Sequence, residues 1–220
     1  MLLSAVCRLK GYKMSNNLST LCSEFTEKLA SKNAVPGGGG AAALCGALAA
    51  ALCSMVGNYT VGKKGYEDCA KELEELLNNA ESYRLNLLEL IDSDAKGFAP
   101  LAEAYAIPKD NPKREQLMRY ASLRACVAPE GILDTCCAVV RLLERMLKVG
   151  NNSLASDIGC AALMCRAALE SAAMNIYVNT AGIRGDAQAD ELNREVAELV
   201  KEYVSRAVAV SDAVMAKLVA

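Results

Sequence analysis

The stretch from Val35 to Thr60, VPGGGGAAALCGALAAALCSMVGNYT, decides the fold. A proline followed by four glycines is typical of a turn, and the uncharged, alanine-rich run behind it predicts a helix over about 40–60. Leucines form one stripe along this helix, and small residues spaced by four form another. A helix that is apolar on every side is buried. The sequence therefore predicts a central helix against which the others pack closely.

Amphipathic helical periodicity continues on both sides of the central helix, and no alternating β-branched run competes with it. Pro129 predicts a kink or break in one long helix, and a second alanine-rich helix comes late in the chain. The helices are expected over 17–32, 40–60, about 66–107, 111–149, 154–179 and 187–218. About six helices without strands predict an all-α fold, a single multi-helix bundle with buried Ala- and Gly-rich central helices.

Two segments, the start of the chain and the uncharged residues 34–62, bear on where in the cell the protein resides. Residues 1–16 are interpreted as an N-terminal extension, with Met14 as the preferred start, and residues 17–220 as one helical domain. The extension does not resemble a secretory signal, because its apolar run is short and its positive charges follow that run. The uncharged residues 34–62 raise a membrane span as an alternative, but they are mostly alanine, with proline, glycine and asparagine near the ends. We therefore expect a cytoplasmic protein without a membrane partner.

Composition excludes several classes of function. The 220 residues are 53% hydrophobic, enough for a sizeable core, and the net charge of −2 argues against a nucleic-acid partner. The chain has no histidine, so acid–base chemistry must fall to Asp, Glu, Lys, Tyr or Cys. The 10 cysteines form no C-x-x-C pair and lie mostly in Ala- and Leu-rich runs. We interpret them as packing residues in a reducing cytosol rather than as metal ligands or disulfides.

The octamer Gly57–Lys64, GNYTVGKK, matches a phosphate-binding loop except at its last position, where Ser or Thr would hold magnesium. Such a loop follows a strand and opens a helix, whereas this octamer ends one. The carbonyl groups at a helix C-terminus repel phosphate. The lysines Lys63 and Lys64 are therefore interpreted either as a solvated helix end or as a contact to an acidic ligand.

Three segments, in chain order, resemble the cyclodeaminase/cyclohydrolase family of folate enzymes. The first, VPGGGGAAALCGALAAALCSMVGNYTVGKKGY, is similar to the glycine-rich turn, small-residue helix and M-V-x-N-x-T-x-G-K-K block of that family. The others are DAKGFAPLAEAYAIPKD (Asp94–Asp110) and GNNSLASDIGCAALMCRAALESAAMNIYVNTAGI (Gly150–Ile183). The resemblance covers about residues 17–215. One departure is Gly40, which stands where Ser or Ala is more usual and so removes a helix-capping hydroxyl.

The resemblance implies an all-helical homodimer that acts on one-carbon tetrahydrofolates. Family members close 5-formimino-tetrahydrofolate to 5,10-methenyl-tetrahydrofolate with loss of ammonia, or hydrolyse the methenyl form to 10-formyl-tetrahydrofolate. Nothing in the residues distinguishes the two reactions, and we place the cyclodeaminase first. No cofactor beyond the tetrahydrofolate substrate and no metal is expected. A helical binding protein that kept the fold and lost catalysis is the remaining alternative, favoured only by Gly40.

The matching blocks supply the candidate site residues. Asp94 and Asp157 are interpreted as catalytic acid–base or cation-stabilising groups, and Lys63 as a catalytic residue or an anchor for the glutamate tail of a folate. The residues expected to bind substrate are Gly37, Gly38, Gly39, Asn58, Lys64, Asn175 and Asn179.

The spacing of these residues raises a difficulty within one chain. Asp157 precedes Asn175 by 18 residues on the same predicted helix, which is about 27 Å along a straight helix. A single pocket cannot use both ends of that helix. Either some of these residues are structural, or two subunits bring opposite ends together, and we expect a site at a subunit interface.

Overall fold

A computed structural model of the protein describes residues 22–220, and within this range the chain forms six α-helices and no strand. The helices are α1 Cys22–Ala30, α2 Gly38–Asn58, α3 Ala70–Tyr105, α4 Arg114–Val149, α5 Ala155–Thr180 and α6 Ala187–Leu218. The all-α architecture predicted from periodicity is confirmed in the described part of the chain. The proposed extension 1–16 and the first residues of the helix predicted over 17–32 lie outside it.

We expected a kink or a break at Pro129, and the break is absent because α4 continues through this residue as one helix. Pro129 is buried, and α4 packs against α2, α3, α5 and α6. A proline removes one helical hydrogen bond, but most helical stability in a protein comes from packing of the apolar face. Neighbouring helices therefore hold α4 in place across the proline.

Helices α2 and α5 form the centre of the bundle, with α3 beside α2 and α6 beside α5. Most of their alanines are buried, as at Ala43 and Ala50 of α2 and Ala168 of α5. A Cβ added at Gly46 would lie 2.7 Å from Cys136 Sγ of α4, so this glycine permits close approach of α2 and α4. The small residues of α2 therefore let a neighbouring helix pack closely, as the sequence predicted.

The cysteines in the described part of the chain carry free thiols, and most are enclosed in the core. Burial raises the pKa of the Cys53 thiol to about 12. Cys160 differs from the others because it is exposed on α5. Packing residues are therefore the correct interpretation for the buried cysteines.

Helices α2 and α5 of the central layer carry exposed apolar side chains. The two helices pack against each other, and α4 packs against both. Leu48 of α2 is 45% exposed, and Leu163 and Met174 of α5 are 50% and 68% exposed. We call this surface the α2/α5 face. Apolar surface concentrated in one patch is typical of a site that contacts another molecule.

Among the described residues, α2 is the one helix whose length and composition would allow it to cross a membrane. This is weak evidence, because the core helix of a soluble protein meets the same criterion. Helix α2 packs against α3, α4 and α5, and 56% of its most apolar window is buried.

Candidate active site

A carboxylate from a neighbouring helix lies against the first turn of α2. The carboxyl group of Asp94, on α3, lies so close that a Cβ added at Gly39 would be 2.2 Å from Asp94 Oδ1. The backbone N–H of Gly40 donates a hydrogen bond to this carboxylate. On the other side, a Cβ at Gly38 would lie 3.2 Å from Nδ2 of Asn175, on α5. We call these four residues, Gly38, Gly39, Asp94 and Asn175, the glycine-turn cluster.

The local sequence explains why a carboxylate lies here. Gly37 is the N-cap of α2 and has no side chain to accept hydrogen bonds from the first turn. The free N–H groups of that turn carry partial positive charge, and Asp94 accepts from one of them. Only glycine at position 39 leaves space for its carboxyl group.

Two opposing effects act on the Asp94 carboxyl group. Burial disfavours its charged form and raises its pKa, whereas the hydrogen bond from the Gly40 N–H lowers it, and burial is the larger effect. A carboxyl group with a raised pKa exchanges protons closer to neutral pH than an exposed one. Asp94 can therefore act as an acid, as a base or as a partner for a cation.

A second group of interacting residues lies at the opposite end of α2. Thr60 is completely buried, donates a hydrogen bond to the carbonyl of Val56 at 2.6 Å and accepts one from the N–H of Asn151 at 2.9 Å. The Oδ1 of Asn151 accepts a hydrogen bond from Lys63 Nζ at 2.7 Å. Lys63 Nζ also lies 5.6 Å from the ring centre of Tyr66. We call Thr60, Lys63, Tyr66 and Asn151 the lysine cluster.

Two glycines shape the loop that presents Lys63. Gly62 and Gly65 have φ angles of +73° and +91°, a region that residues with a side chain rarely adopt. The G-K-K-G sequence therefore places its lysines between two sharp changes of chain direction. Lys64 is exposed there and makes no hydrogen bond or ion pair with any described residue.

Asp157 belongs to the same end of the bundle as the lysine cluster. It lies in the first turn of α5, directly after the turn that contains Asn151, and is half-buried. A carboxylate in the first turn is favoured by the positive end of the helix dipole. Asn58, the last residue of α2, is exposed nearby.

The structure therefore brings the predicted residues together in two groups rather than one. Gly38, Gly39, Asp94 and Asn175 lie at the start of α2, and Lys63, Lys64, Asn58 and Asp157 lie beyond or beside its end. The 21 residues of α2 separate these groups by about 30 Å. The separation expected from the sequence along α5 is confirmed.

The Asn179 side chain is hydrogen-bonded within the bundle. It is 8% exposed, and its Nδ2 donates a hydrogen bond to the backbone carbonyl of Ala125 at 2.9 Å, which ties α5 to α4. Its predicted contact to substrate stays a prediction, since this bond gives it a structural task as well.

Asn151 and Tyr66 were not among the residues selected from the sequence. The signal for Asn151 was the Gly150–Asn151 pair that opens the third block of resemblance. Nothing in the pattern indicated that it would meet Lys63, which lies 88 positions earlier in the chain.

Neither of two surface cavities in the described part of the chain contains these residues. One, of about 590 Å³, is lined by α3 side chains such as Glu72, and the other, of about 670 Å³, lies between Lys109 and Arg184. Within residues 22–220, no group of three or more Cys, Asp or Glu residues is placed to hold a metal ion.

The sequence profile of the formiminotransferase-cyclodeaminase family matches residues 21–198. The chain belongs to this family. It is 38% identical over 183 residues to the methenyltetrahydrofolate cyclohydrolase of Methylorubrum extorquens, covering 81% of this chain and 88% of that protein. It is 27% identical over 210 residues to the formimidoyltransferase-cyclodeaminase of Mus musculus, covering 91% of this chain but 38% of the mouse protein.

A solved structure agrees with the sequence comparisons. The crystal structure of formiminotetrahydrofolate cyclodeaminase from Thermotoga maritima matches with a TM-score of 0.77 at 28% identity, covering 90% of this chain and 98% of that one. The family resemblance drawn from the three motifs is thereby confirmed. The match covers 88% of the Methylorubrum extorquens protein and 98% of the Thermotoga maritima chain, but 38% of the mouse protein.

Proposed function

We propose that the chain is a one-carbon tetrahydrofolate enzyme that closes 5-formimino-tetrahydrofolate to 5,10-methenyl-tetrahydrofolate and releases ammonia. Family membership and the fold shared with the Thermotoga maritima cyclodeaminase support this proposal. The observation that carries it is the half-buried Asp94 carboxyl group of α3, which lies against the first turn of α2 and exchanges protons with a raised pKa.

The proposed reaction needs one proton moved and one positive charge stabilised. The 10-nitrogen of the folate attacks the formimino carbon, its proton passes to the departing nitrogen, and ammonia leaves. The protonated formimino group and the methenyl product each carry one positive charge, so charge is conserved. Asp94 would transfer the proton, and its carboxylate would stabilise the delocalised cation electrostatically. A positioned proton-transfer group contributes roughly 10²–10⁴-fold in rate.

Hydrolysis of 5,10-methenyl-tetrahydrofolate to 10-formyl-tetrahydrofolate is the second candidate. It is favoured by the 38% identity to the Methylorubrum extorquens cyclohydrolase, which this chain matches over 88% of that protein. In this reaction water adds to the methenyl carbon and the ring opens with release of one proton. The same carboxylate would orient and deprotonate the water.

The two reactions differ in the direction of one optical signal. The methenyl form absorbs in the near ultraviolet, so cyclodeamination makes this absorbance rise from formimino substrate, and hydrolysis makes it decay from methenyl substrate. Ammonia release, measured separately, accompanies only the first reaction. A sample without protein serves as the control for uncatalysed conversion, and an Asp94→Asn variant tests the role of the carboxylate. If the wild-type protein changes neither signal beyond that control, the enzyme proposal is wrong and the non-catalytic binding protein is favoured.

The separation of the two residue groups supports a site shared between two copies. Leu48, the residue at the middle of α2, is exposed at the centre of the α2/α5 face. If two copies pack through this face about a two-fold axis perpendicular to α2, their α2 helices run antiparallel and each start of α2 meets the end of its counterpart. The glycine-turn cluster of one copy would then face Lys63 and Asp157 of the other.

This arrangement gives tasks to the remaining predicted residues. Lys63 would act at the reacting centre, and the exposed Lys64 would meet the anionic glutamate tail. Gly37, Asn58 and Asn175 would line the pterin, and tetrahydrofolate would be the only small-molecule partner. We place this homodimer in the cytoplasm, in keeping with the folate chemistry of the named relatives.

Two experiments test the shared site. Leu48→Glu should shift the protein to a monomer in analytical ultracentrifugation and abolish turnover, whereas Leu85→Glu, at a 39% exposed position on α3, should do neither. Mixing Asp94→Asn with Lys63→Ala subunits should restore up to about a quarter of wild-type activity, because half of the dimers are mixed and each has one intact site. No recovery after subunit exchange, or a fully active Leu48→Glu monomer, would reject the shared site.

A further inference from the structure

The charged end of Lys63 is held by two neighbouring side chains. Its Nζ donates a hydrogen bond to Asn151 Oδ1 at 2.7 Å and lies over the ring of Tyr66. Lys64, the next residue, has no such partner among the described residues. Two adjacent lysines in one loop therefore differ in how firmly each is positioned.

The residues that hold Lys63 are themselves fixed to the core. Asn151 is 9% exposed, and its backbone N–H donates to the buried hydroxyl of Thr60. The Asn151 Oδ1 also accepts a hydrogen bond from the N–H of Ser153, which caps the turn before α5. The side chain therefore has one fixed orientation.

Tyr66 is anchored to the same turn from the other side. Its hydroxyl accepts a hydrogen bond from the N–H of Asn152 at 3.3 Å, so its ring is tied to the residue next to Asn151. A lysine over an aromatic face is attracted by the ring electrons. Asn151 and Tyr66 thus act on the Lys63 ammonium group from two directions.

We infer that Asn151 and Tyr66 are positioning residues that hold Lys63 in place for the reacting folate. This inference rests on the proposed function and adds two residues to it. A lysine ammonium group has three N–H donors, and Asn151 takes one, which leaves two for a ligand. Because the side chain is ordered before substrate arrives, less conformational entropy is lost when the ligand contacts it.

Substitutions at Asn151 separate this positioning from its structural tasks. Asn151→Ser keeps a hydroxyl that can cap the turn and keeps the backbone bond to Thr60, but it is too short to reach Lys63. Asn151→Asp keeps both the cap and the contact to Lys63, and should rescue the effect. Asn152→Ser, at the exposed neighbouring asparagine, is the matched control.

The first measurement is the mobility of the Lys63 side chain, from NMR relaxation of ¹³C- and ¹⁵N-labelled lysine in the full-length protein. We expect the order parameter at the end of Lys63 to fall in Asn151→Ser and in Tyr66→Leu, and to stay at the wild-type value in Asn152→Ser. The signal of Lys64 is an internal reference that should not change. An unchanged order parameter for Lys63 in both variants would overturn the inference.

The second measurement is a double-mutant cycle on kcat/KM. We expect Asn151→Ser to lower kcat/KM roughly two- to tenfold, the cost of ordering one long side chain on binding. Asn151→Asp should recover most of this loss. In a Lys63→Ala background, Asn151→Ser should have no further effect, because residues that act through one contact are non-additive.

The outcomes of the cycle distinguish the inference from the proposed function. An equal loss in the wild-type and Lys63→Ala backgrounds would mean that Asn151 is only structural, which overturns the inference. Wild-type kcat/KM in Lys63→Ala would overturn it too, while leaving the folate activity intact. If the wild-type protein turns over no folate, the proposed function fails, and the mobility of Lys63 decides by itself whether Asn151 and Tyr66 hold it.

Discussion

Adding one methyl group at Gly39 should displace the Asp94 carboxyl group and reveal its role. In Gly39→Ala the new Cβ would lie 2.2 Å from Asp94 Oδ1, whereas ordinary contacts of a Cβ begin at 3.4 Å. The oxygen must therefore move by roughly 1 Å, since 3.4 minus 2.2 is 1.2 Å. A misplacement of about 1 Å can cost roughly 10²-fold in rate. We expect this loss in kcat.

The effect on stability should be small by comparison. The group that must move is the end of an Asp side chain, which can rotate, and overpacking typically costs about 1–3 kcal/mol. Replacing glycine by alanine in a helix returns about 0.4–1 kcal/mol. Urea unfolding should therefore show Gly39→Ala destabilised by about 0–3 kcal/mol, short of unfolding the domain.

Gly40→Ala is the matched control in the same turn. Its Cβ would lie 3.4 Å from Pro36 and 3.5 Å from Ile91, which is ordinary contact, and the N–H that binds Asp94 is kept. This variant should keep near wild-type turnover. If Gly39→Ala is as active as Gly40→Ala, the carboxyl group at Gly39 is not part of the reacting site, and the reasoning is refuted.

Three further predictions concern charge and accessibility. Because the pKa of Asp94 is raised in the folded state, its ionisation destabilises the fold as pH rises from the unfolded pKa through the folded one. Across that pH window Asp94→Asn should gain stability relative to wild type, as measured by urea unfolding at several pH values. A stability advantage that shrinks with rising pH would contradict this prediction. Asp157→Asn should abolish turnover. It should lower the free energy of unfolding by only about 0.3–1 kcal/mol, which is what a carboxylate in a first helical turn contributes. An unchanged rate would remove Asp157 from the mechanism. In the Leu48→Glu monomer a thiol reagent should modify the exposed Cys160 quickly and the enclosed Cys53, whose pKa is about 12, only after denaturation. Equal rates at both cysteines would contradict the packing of the single chain.

Much of the fold could be predicted because it depends on local pattern. The periodicity of apolar residues and the absence of β-branched alternation determined six helices, and the run from Val35 to Thr60 determined which helix is central. The prediction at Pro129 was wrong about a break, because the local cost of a proline is outweighed by the packing of four neighbouring helices.

The candidate site could be predicted only in part. The motifs selected Asp94, Lys63 and Asp157 by their chemistry. The helical rise alone indicated that Asp157 and Asn175 do not meet in one chain. The hydrogen bond from Lys63 to Asn151 could not be predicted from the sequence, because these residues are 88 positions apart and no spacing rule covers such a contact.

The sequence by itself determined the helical class, the buried character of α2 and the residue types available for chemistry in a chain without histidine. Only the tertiary structure decided that Asp94 lies against the first turn of α2, and that its pKa is raised by burial more than it is lowered by the Gly40 N–H. The physical reason is that periodicity is a property of neighbouring residues, whereas burial and hydrogen bonding between helices depend on which distant segments pack together.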